Sequence, residues 1–433
     1  IISPIIDNDI ITLLVLIYFR SALELPYIKL LRLSLLPVGG WPKINQNDQN
    51  SLLNFYTINI LIEILVLIGQ ILYLYDIFGK VKFLLVGDVY ITTFLTIQAV
   101  VRLSLSKFKT YCNILITFIT EFHLIYFKHR GETFKKVFLT MEKISRYFTL
   151  FMSCLVVSGL VLFNSSPMYK NVKNGAFTTN KHNRTNMNLE FSVKYKYPGY
   201  DQNEYFIVTT VINLFISTLC TFAIISIDLL VILMAFQIIG HLELLAINIR
   251  SMAKPKKMHL KKINYEGVLF FDAEMYDEQE NLEIKQILKE VVEHHNLIMS
   301  FTQKISKFFG PSFGVTYLFH VVCCCLLLLE CSQEDPGVIV QFLPLTVVAF
   351  MQLIQISVAF EILKHKSDAL VDCVYNLPWQ CMNIANQRTV SIILLRVQTP
   401  VQVTALGLAG VGVETMANIL KTTFSYYTFL RNL

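Results

Sequence analysis

Long apolar runs alternate with shorter polar connections along the whole chain. Seven of these runs are long enough to cross about 30 Å of membrane hydrocarbon as helices. They are Phe55–Tyr75, Phe83–Val101, Tyr147–Phe163, Tyr205–Phe236, Phe308–Leu329, Val338–Phe360 and Val397–Leu420. Because a segment in hydrocarbon must satisfy its backbone hydrogen bonds internally, this pattern predicts an all-α membrane protein with seven transmembrane helices.

Two further apolar stretches, Ile10–Phe19 and Asn113–Phe127, are shorter. The first ends at Arg20, and the second is interrupted by Glu121. We expect both to form interfacial or re-entrant helices, and a true transmembrane span is the alternative for the second.

The composition also points to the membrane. Of 433 residues, 54% are hydrophobic and 16% are charged, whereas soluble proteins carry about 25% charged residues. The chain has no phosphate-binding glycine loop, nucleophile elbow or zinc-protease helix. We therefore predict a protein that is not an enzyme, with no catalytic residues, cofactor or metal site. The adjacent His294 and His295 would project about 100° apart on a helix, so we expect a buried or capping role for them.

The charges in the connections predict an orientation. Connections on the same side as the N-terminus contain 25 Lys and Arg residues, against 10 on the other side. Since cytoplasmic connections are enriched in these residues, we predict a cytoplasmic N-terminus and an extracellular C-terminus. The sequon Asn183-Arg184-Thr185 then lies outside, where Asn183 is a candidate glycosylation site. The same bias explains the net charge of +6, so nucleic acid is not an expected partner.

These patterns divide the chain into six parts. Residues 1–50 form a cytoplasmic segment with a short interfacial helix, and 51–236 hold transmembrane helices 1–4 with an external loop at 166–204. Residues 237–304 form a cytoplasmic helical extension, and 305–363 hold helices 5–6. Residues 364–398 form a further cytoplasmic segment, and 399–433 form the last spanning helix.

The last apolar run differs from the other six because it contains Gly407, Gly410 and Gly412. Steps of three and four residues place a mostly polar stripe on one helical face. The stripe comprises Thr404, Gly407, Val411, Glu414, Asn418, Lys421, Ser425, Thr428 and Asn432. A polar stripe cannot face lipid, so it faces either neighbouring helices or a water-filled pore.

Four C-terminal motifs carry a family resemblance. They are FLPLTVVAFMQL at Phe342–Leu353, KSDALVDCVYNLPW at Lys366–Trp379, LLRVQTPVQVTA at Leu394–Ala405 and ILKTTFSYYTFL at Ile419–Leu430. In order and spacing they resemble the insect odorant receptor family. Gly39-Gly40-Trp41-Pro42 and His294-His295-Asn296-Leu297-Ile298 resemble two upstream family motifs. One departure is Ala359-Phe360-Glu361, where the family often has a glycine before the glutamate.

The resemblance implies an odorant-gated, non-selective cation channel in the plasma membrane of a sensory dendrite. It implies a tuning subunit that forms a heterotetramer with a shared co-receptor. It also implies a last helix broken into two parts, a cytoplasmic anchor helix at 364–398 and a pore-lining helix at 399–433. We place the break at Thr399-Pro400 because proline interrupts helices. The alternatives are a G-protein-coupled chemoreceptor, which the charge bias opposes, and a gustatory-receptor-type channel, whose C-terminal pattern we do not find.

Candidate site residues follow from this resemblance. A small apolar odorant is expected in the outer halves of the spans, where candidate ligand-binding residues are Phe83, Val86, Tyr90, Phe94, Ser158, Thr210, Asn213 and Phe342. By the family's C-terminal register, the hydrophobic gate lies near Phe429 and Leu433, with Asn432 as a polar constriction.

Overall fold

The computed structural model describes residues 22–41, 49–80, 86–177, 187, 189–252, 254–255, 264–265, 268–269, 275–332 and 336–431. The helices are α1 Pro26–Leu35, α2 Gln49–Ile77, α3 Gly87–Leu105, α4 Lys109–Thr117, α5 Glu132–Lys173, α6 Phe206–Arg250, α7 Glu278–Cys331, α8 Pro336–Tyr375, α9 Ile384–Val397 and α10 Val413–Arg431. Two small antiparallel hairpins pair β1 Asn264–Tyr265 with β2 Val268–Leu269 and β3 Thr404–Ala405 with β4 Ala409–Gly410. The predicted interfacial helix Ile10–Phe19 lies outside the described residues.

Within the described residues, seven helical segments are long and apolar enough to cross a membrane. This confirms the predicted all-α, seven-helix class. Six of the segments contain or overlap the first six predicted runs. The remaining one, Lys109–Arg130, covers the shorter stretch around α4.

The contacts of the Lys109–Arg130 segment show that it does not turn back across the bundle. Arg102, near the end of α3, bonds Thr316 of α7 at 2.9 Å. Further along the chain, the Phe122 ring stacks on Phe301 of α7, with 4.0 Å between ring centroids. Beyond α3 the chain therefore keeps running along α7, from the level of Thr316 to the level of Phe301.

The predicted helix over Val397–Leu420 is wrong. The preceding helix α9 ends at Val397, before Thr399-Pro400, and the β3–β4 hairpin follows. Gly407 turns the hairpin with a φ of 72°, a conformation that glycine adopts at little cost. The last helix therefore begins at Val413 instead of residue 399.

Two boundaries of the predicted anchor helix, residues 364–398, are also corrected. Helix α8 runs through the predicted boundary at residue 364 and ends at Tyr375. A short 3-10 turn at Trp379–Cys381 then leads into α9, which Asn383 caps by accepting a hydrogen bond from the Asn386 backbone at 2.9 Å. The anchor part is thus a helix end, a turn and a second helix.

The long helices α6 and α7 organise the core. Helix α6 is apolar on every side over Leu229–Phe236, which predicts burial all round, and Leu229–Ala235 are indeed 3% exposed or less. Helix α7 starts with a capping box, in which the Asp277 carboxylate accepts from the Glu280 backbone at 2.7 Å. At one end of the bundle, α1, α4 and α9 pack around these two helices. We call this the inner end, and the opposite end, which carries loop 189–204, the outer end.

Candidate functional site

A cavity lies in the outer half of the bundle between α3, α5, α6 and α8. Its volume is about 100 Å³. The apolar lining includes Leu95, Val156, Gly159, Phe163, Ile216 and Leu345, and the polar lining includes Thr92, Thr96, Ser217, Thr221 and Gln352. This apolar enclosure with a few polar groups is typical of small-molecule sites.

Loop 189–204 closes the outer side of the cavity through Val193, which belongs to the lining. The Asn213 amide donates to the Val193 carbonyl oxygen at 2.9 Å. The next residue, Lys194, pairs with Asp88 at 2.7 Å. Burial alone lowers the pKa of Lys194, but the Asp88 carboxylate outweighs this effect and raises that pKa above its usual value. The loop is thus fixed to both α6 and α3.

A buried ion pair lies at the inner side of the cavity. Arg102 of α3 pairs with Asp228 of α6, and both side chains are almost fully buried, at 0% and 1% exposure. The cavity-lining Gln352 of α8 donates from its Nε2 atom to Asp228, and Arg102 donates to Thr316 of α7 at 2.9 Å. Four helices therefore meet at one polar cluster beside the cavity.

Most of the predicted ligand-binding residues lie away from this cavity. Ser158 is exposed on the outside of α5 and donates to the Leu155 carbonyl oxygen at 3.1 Å. Thr210 donates to the Phe206 carbonyl oxygen at 2.8 Å. Val86 is buried at the start of α3, and Phe342 packs in an apolar cluster with Ile91 and Leu327. Asn213 donates its hydrogen bond to the backbone of loop 189–204, and Phe83 lies outside the described residues.

Tyr90 and Phe94 are brought together, but in a different place. They line an apolar groove between α3, α7 and α10 that also contains Phe429. The groove has a volume of about 350 Å³. Two predicted ligand-binding residues thus lie beside one predicted gate residue. Asn432, Leu433 and the sequon residue Asn183 lie outside the described residues.

Helix α10 presents two opposite faces. Ile419 and Thr423 are buried against the chain's own bundle, at 7% and 0% exposure. The helical part of the predicted polar stripe, comprising Glu414, Asn418, Lys421, Ser425 and Thr428, is exposed throughout. Since each residue turns the helix by about 100°, the centre of this stripe lies roughly opposite the buried face. The first members of the predicted stripe, Thr404, Gly407 and Val411, precede α10 and do not share its face.

The start of α10 is held by two neighbours. The Glu361 carboxylate of α8 accepts a hydrogen bond from the Val413 backbone at 3.0 Å, which is favourable because helix N-termini attract negative charge. The preceding hairpin packs on α7, where the Leu406 backbone donates to the Gly310 carbonyl oxygen at 3.1 Å. Glu361 is the last residue of Ala359-Phe360-Glu361, the segment noted above for its missing glycine.

The paired histidines take a structural role. His294 of α7 contacts His241 of α6, with 2.9 Å between their ring nitrogens, and His241 also contacts the Phe122 carbonyl oxygen at 2.6 Å. Among the described residues no group of three or more His, Cys, Asp and Glu side chains is arranged to hold a metal ion.

Sequence reasoning missed Gln352, Gly159 and the Thr92–Thr96 pair. Signals for them were present, because Thr92 and Thr96 are four residues apart on one face of an apolar helix. Gln352 is a polar residue in the MQL segment, and Gly159 is a gap in an apolar run. Which faces meet in the bundle could not be read from these signals.

Comparisons with known proteins agree with this architecture. A family model described as 7tm Odorant receptor matches residues 82–424. Two Drosophila melanogaster proteins are similar. Odorant receptor 13a is 26% identical over 34% of this chain and 38% of its own length, and Odorant receptor 10a is 24% identical over 46% of each. The matched part thus spans less than half the length of either relative.

Solved structures share the fold. The insect olfactory receptor OR5 from Machilis hrabei, in complex with eugenol, matches with a TM-score of 0.73 and 13% identity, covering 96% of this chain and 99% of that one. The structure described without eugenol matches equally well over 96% and 98%. Because the family model covers most of the chain, and the C-terminal motifs predict the same assignment, this multi-pass membrane protein belongs to the insect odorant receptor family.

Proposed function

We propose that this protein is the odorant-binding subunit of a non-selective cation channel. Members of the insect odorant receptor family are ligand-gated cation channels and receptors rather than enzymes. In our proposal a small apolar volatile binds in the cavity between α3, α5, α6 and α8, and α10 lines the pore. The subunit assembles with shared co-receptor subunits as a heterotetramer in the plasma membrane of a sensory dendrite. Its inner end is cytoplasmic and its outer end, with Asn183, is extracellular.

The observation that carries this proposal is the exposed polar face of α10. Ser425 and Thr428 point away from the bundle that buries Ile419 and Thr423. A polar face within a membrane requires water or another polar surface. Four such helices around a common axis provide a water-filled path for cations, whereas the same face toward lipid is unfavourable.

Cysteine accessibility tests the pore assignment. Ser425→Cys and Thr428→Cys, each expressed with the co-receptor, should lose odorant-evoked current when a water-soluble cationic thiol reagent is applied. Thr423→Cys is the matched control, because Thr423 lies on the buried face at 0% exposure. The native chain, whose Cys154 is exposed, measures the background. Equal currents before and after reagent in both exposed variants would refute the pore assignment.

The cavity suits a compact ligand. An apolar cavity of about 150 Å³ takes up benzene, and this one is about 100 Å³. Affinity then comes from burial of apolar area, at about 25 cal/mol per Å². Gly159 is the position at which the cavity can be filled, since a Cβ atom there meets only Val348, at 3.5 Å. Gly159→Leu should therefore abolish odorant responses while leaving the receptor at the cell surface.

A further inference from the structure

The hydroxyl groups that line the cavity have committed their donor protons inside the protein. The hydroxyls of Thr92, Thr96, Ser217 and Thr221 donate to the carbonyl oxygens of Val89, Thr92, Leu214 and Ser217, at 3.1, 2.9, 3.1 and 2.7 Å. Such bonds to the preceding turn are a common way for Ser and Thr to be satisfied in helices. A hydroxyl has one proton and two lone pairs, so each of these groups retains only acceptor capacity.

Gln352 retains an acceptor and one donor. Its Nε2 atom carries two protons, and one of them is donated to the Asp228 carboxylate. The opposite assignment would place two acceptor oxygens in contact, which is unfavourable. Because Asp228 is itself fixed by Arg102, the amide is held in this orientation, with its Oε1 atom as an acceptor and its second N–H as the remaining donor. The thiol of Cys220 is directed at the Leu95 carbonyl oxygen, 3.6 Å away.

From this accounting we infer the chemical class of the ligand: the cavity selects odorants that carry a hydroxyl donor, namely alcohols and phenols, over carbonyl and ether compounds of the same skeleton. The inference rests on the proposed function, since it concerns the same cavity. An alcohol donates to a threonine or Gln352 oxygen. A carbonyl compound has no proton to donate to these oxygens and can accept only from the second Gln352 N–H. The additional hydrogen bond strengthens binding of the alcohol by about tenfold.

Matched pairs of odorants test the inference. Cyclohexanol and cyclohexanone, benzyl alcohol and benzaldehyde, and butanol and butanone are applied to the receptor expressed with its co-receptor. We expect the alcohol of each active pair to reach half-maximal current at a concentration about tenfold lower than the carbonyl compound. Carbonyl compounds of equal or higher potency would overturn the inference, and so would a panel in which no alcohol is active.

Variants identify the acceptor. Thr92→Val, Thr96→Val and Thr221→Val preserve side-chain shape and remove the hydroxyl oxygen. At least one should raise the half-maximal concentration of the alcohol about tenfold and leave that of the carbonyl compound unchanged, and the corresponding Thr→Ser change should restore potency. Thr218→Val is the control, because Thr218 makes the same bond to Leu214, at 2.7 Å, and does not line the cavity. An unchanged alcohol preference in all three variants would contradict the inference.

The Gly159→Leu variant separates this inference from the proposed function. If filling the cavity abolishes responses but alcohols and carbonyl compounds are equally potent in the native protein, only the ligand class is wrong. If Gly159→Leu responds as the native protein does, the cavity is not the odorant site, and both proposals fail.

Discussion

Arg102 and Asp228 form an ion pair inside the bundle, with no more than 1% of either side chain exposed. Taking both charges out of water is costly, and the pair is tolerated only because Thr316 and Gln352 supply further hydrogen bonds. Removing one partner leaves an uncompensated buried charge. The pair therefore joins α3 to α6, and separating the two side chains would cost a large amount of free energy.

We expect Asp228→Asn to destabilise the receptor by about 3–5 kcal/mol. The measurement is the thermal unfolding temperature of detergent-solubilised receptor, together with its surface abundance. Replacing both charges, as in Arg102→Met with Asp228→Leu, should recover much of the loss because no charge remains buried. Lys289→Met is the control, since the pair between Lys289 and Glu293 is about two-thirds exposed and contributes little. Equal unfolding temperatures for Asp228→Asn and this control would contradict the assignment.

Phe429 carries the sharpest prediction about the gate. It is 62% exposed near the end of the polar face of α10. If such residues close the pore by excluding water, Phe429→Ser should raise the open probability without odorant, measured by single-channel recording. Phe424→Ser is the matched control, because Phe424 is 50% exposed but lies about 140° away around the helix. Unchanged resting opening, with the co-receptor gate also mutated, would rule out Phe429 as a gate residue.

Among the elements, the β3–β4 hairpin packs on α7 and leads directly into α10. A Cβ atom at Gly310 would lie 2.8 Å from the Thr404 carbonyl oxygen, and one at Gly314 would lie 2.6 Å from the Leu406 side chain. Leu406 itself has a φ of 54°, a costly conformation for a leucine. The strained turn therefore packs directly on these two glycines of α7, where a larger residue would clash with it.

Gly310→Ala should disturb gating more than folding. The added methyl group meets backbone, which cannot rotate away, so the hairpin must shift at a cost of about 1–3 kcal/mol. We expect a lower maximal odorant-evoked current per surface receptor. Gly410→Ala, in the same hairpin, provides the comparison, because its Cβ meets the Gln402 side chain only at 3.5 Å. Indistinguishable currents from the two variants would argue against a role for the hairpin in gating.

The hairpin also shows what the sequence could and could not predict. Val401–Ala405 alternate between more buried and more exposed positions, which is the period of a strand. This signal was present, but the run is apolar enough to resemble a spanning helix, and we placed Gly407 on the polar stripe of that helix. By contrast, the first six spans follow from apolar length alone. The cavity depends on which faces meet, and Ser158, beside the lining residue Gly159, illustrates how one residue's rotation moves a side chain out of the site.

At the scale of the whole molecule, the main prediction concerns assembly of this chain with co-receptor subunits. In our proposal the chain is a tuning subunit, so expression of the chain alone should give little odorant-evoked current, and co-expression with the co-receptor should give a cation current. Whole-cell recording with matched surface expression measures both conditions. A robust ligand-gated current from the isolated chain would overturn the partner proposal and leave the channel proposal standing.

Helix α7 extends over 54 residues, or about 80 Å at 1.5 Å per residue. Pro311 lies inside it and removes one backbone hydrogen bond, which makes this point easier to bend than the rest. The hairpin packs on Gly310, directly beside it. The easiest point to bend in α7 therefore lies next to the hairpin that leads into α10. The outer part, Pro311–Cys331, is about 30 Å long, so a tilt of about 5° moves its end by about 2.6 Å. A small change of angle at Pro311 is thus enough to displace the outer end of α7 by about the width of a water molecule.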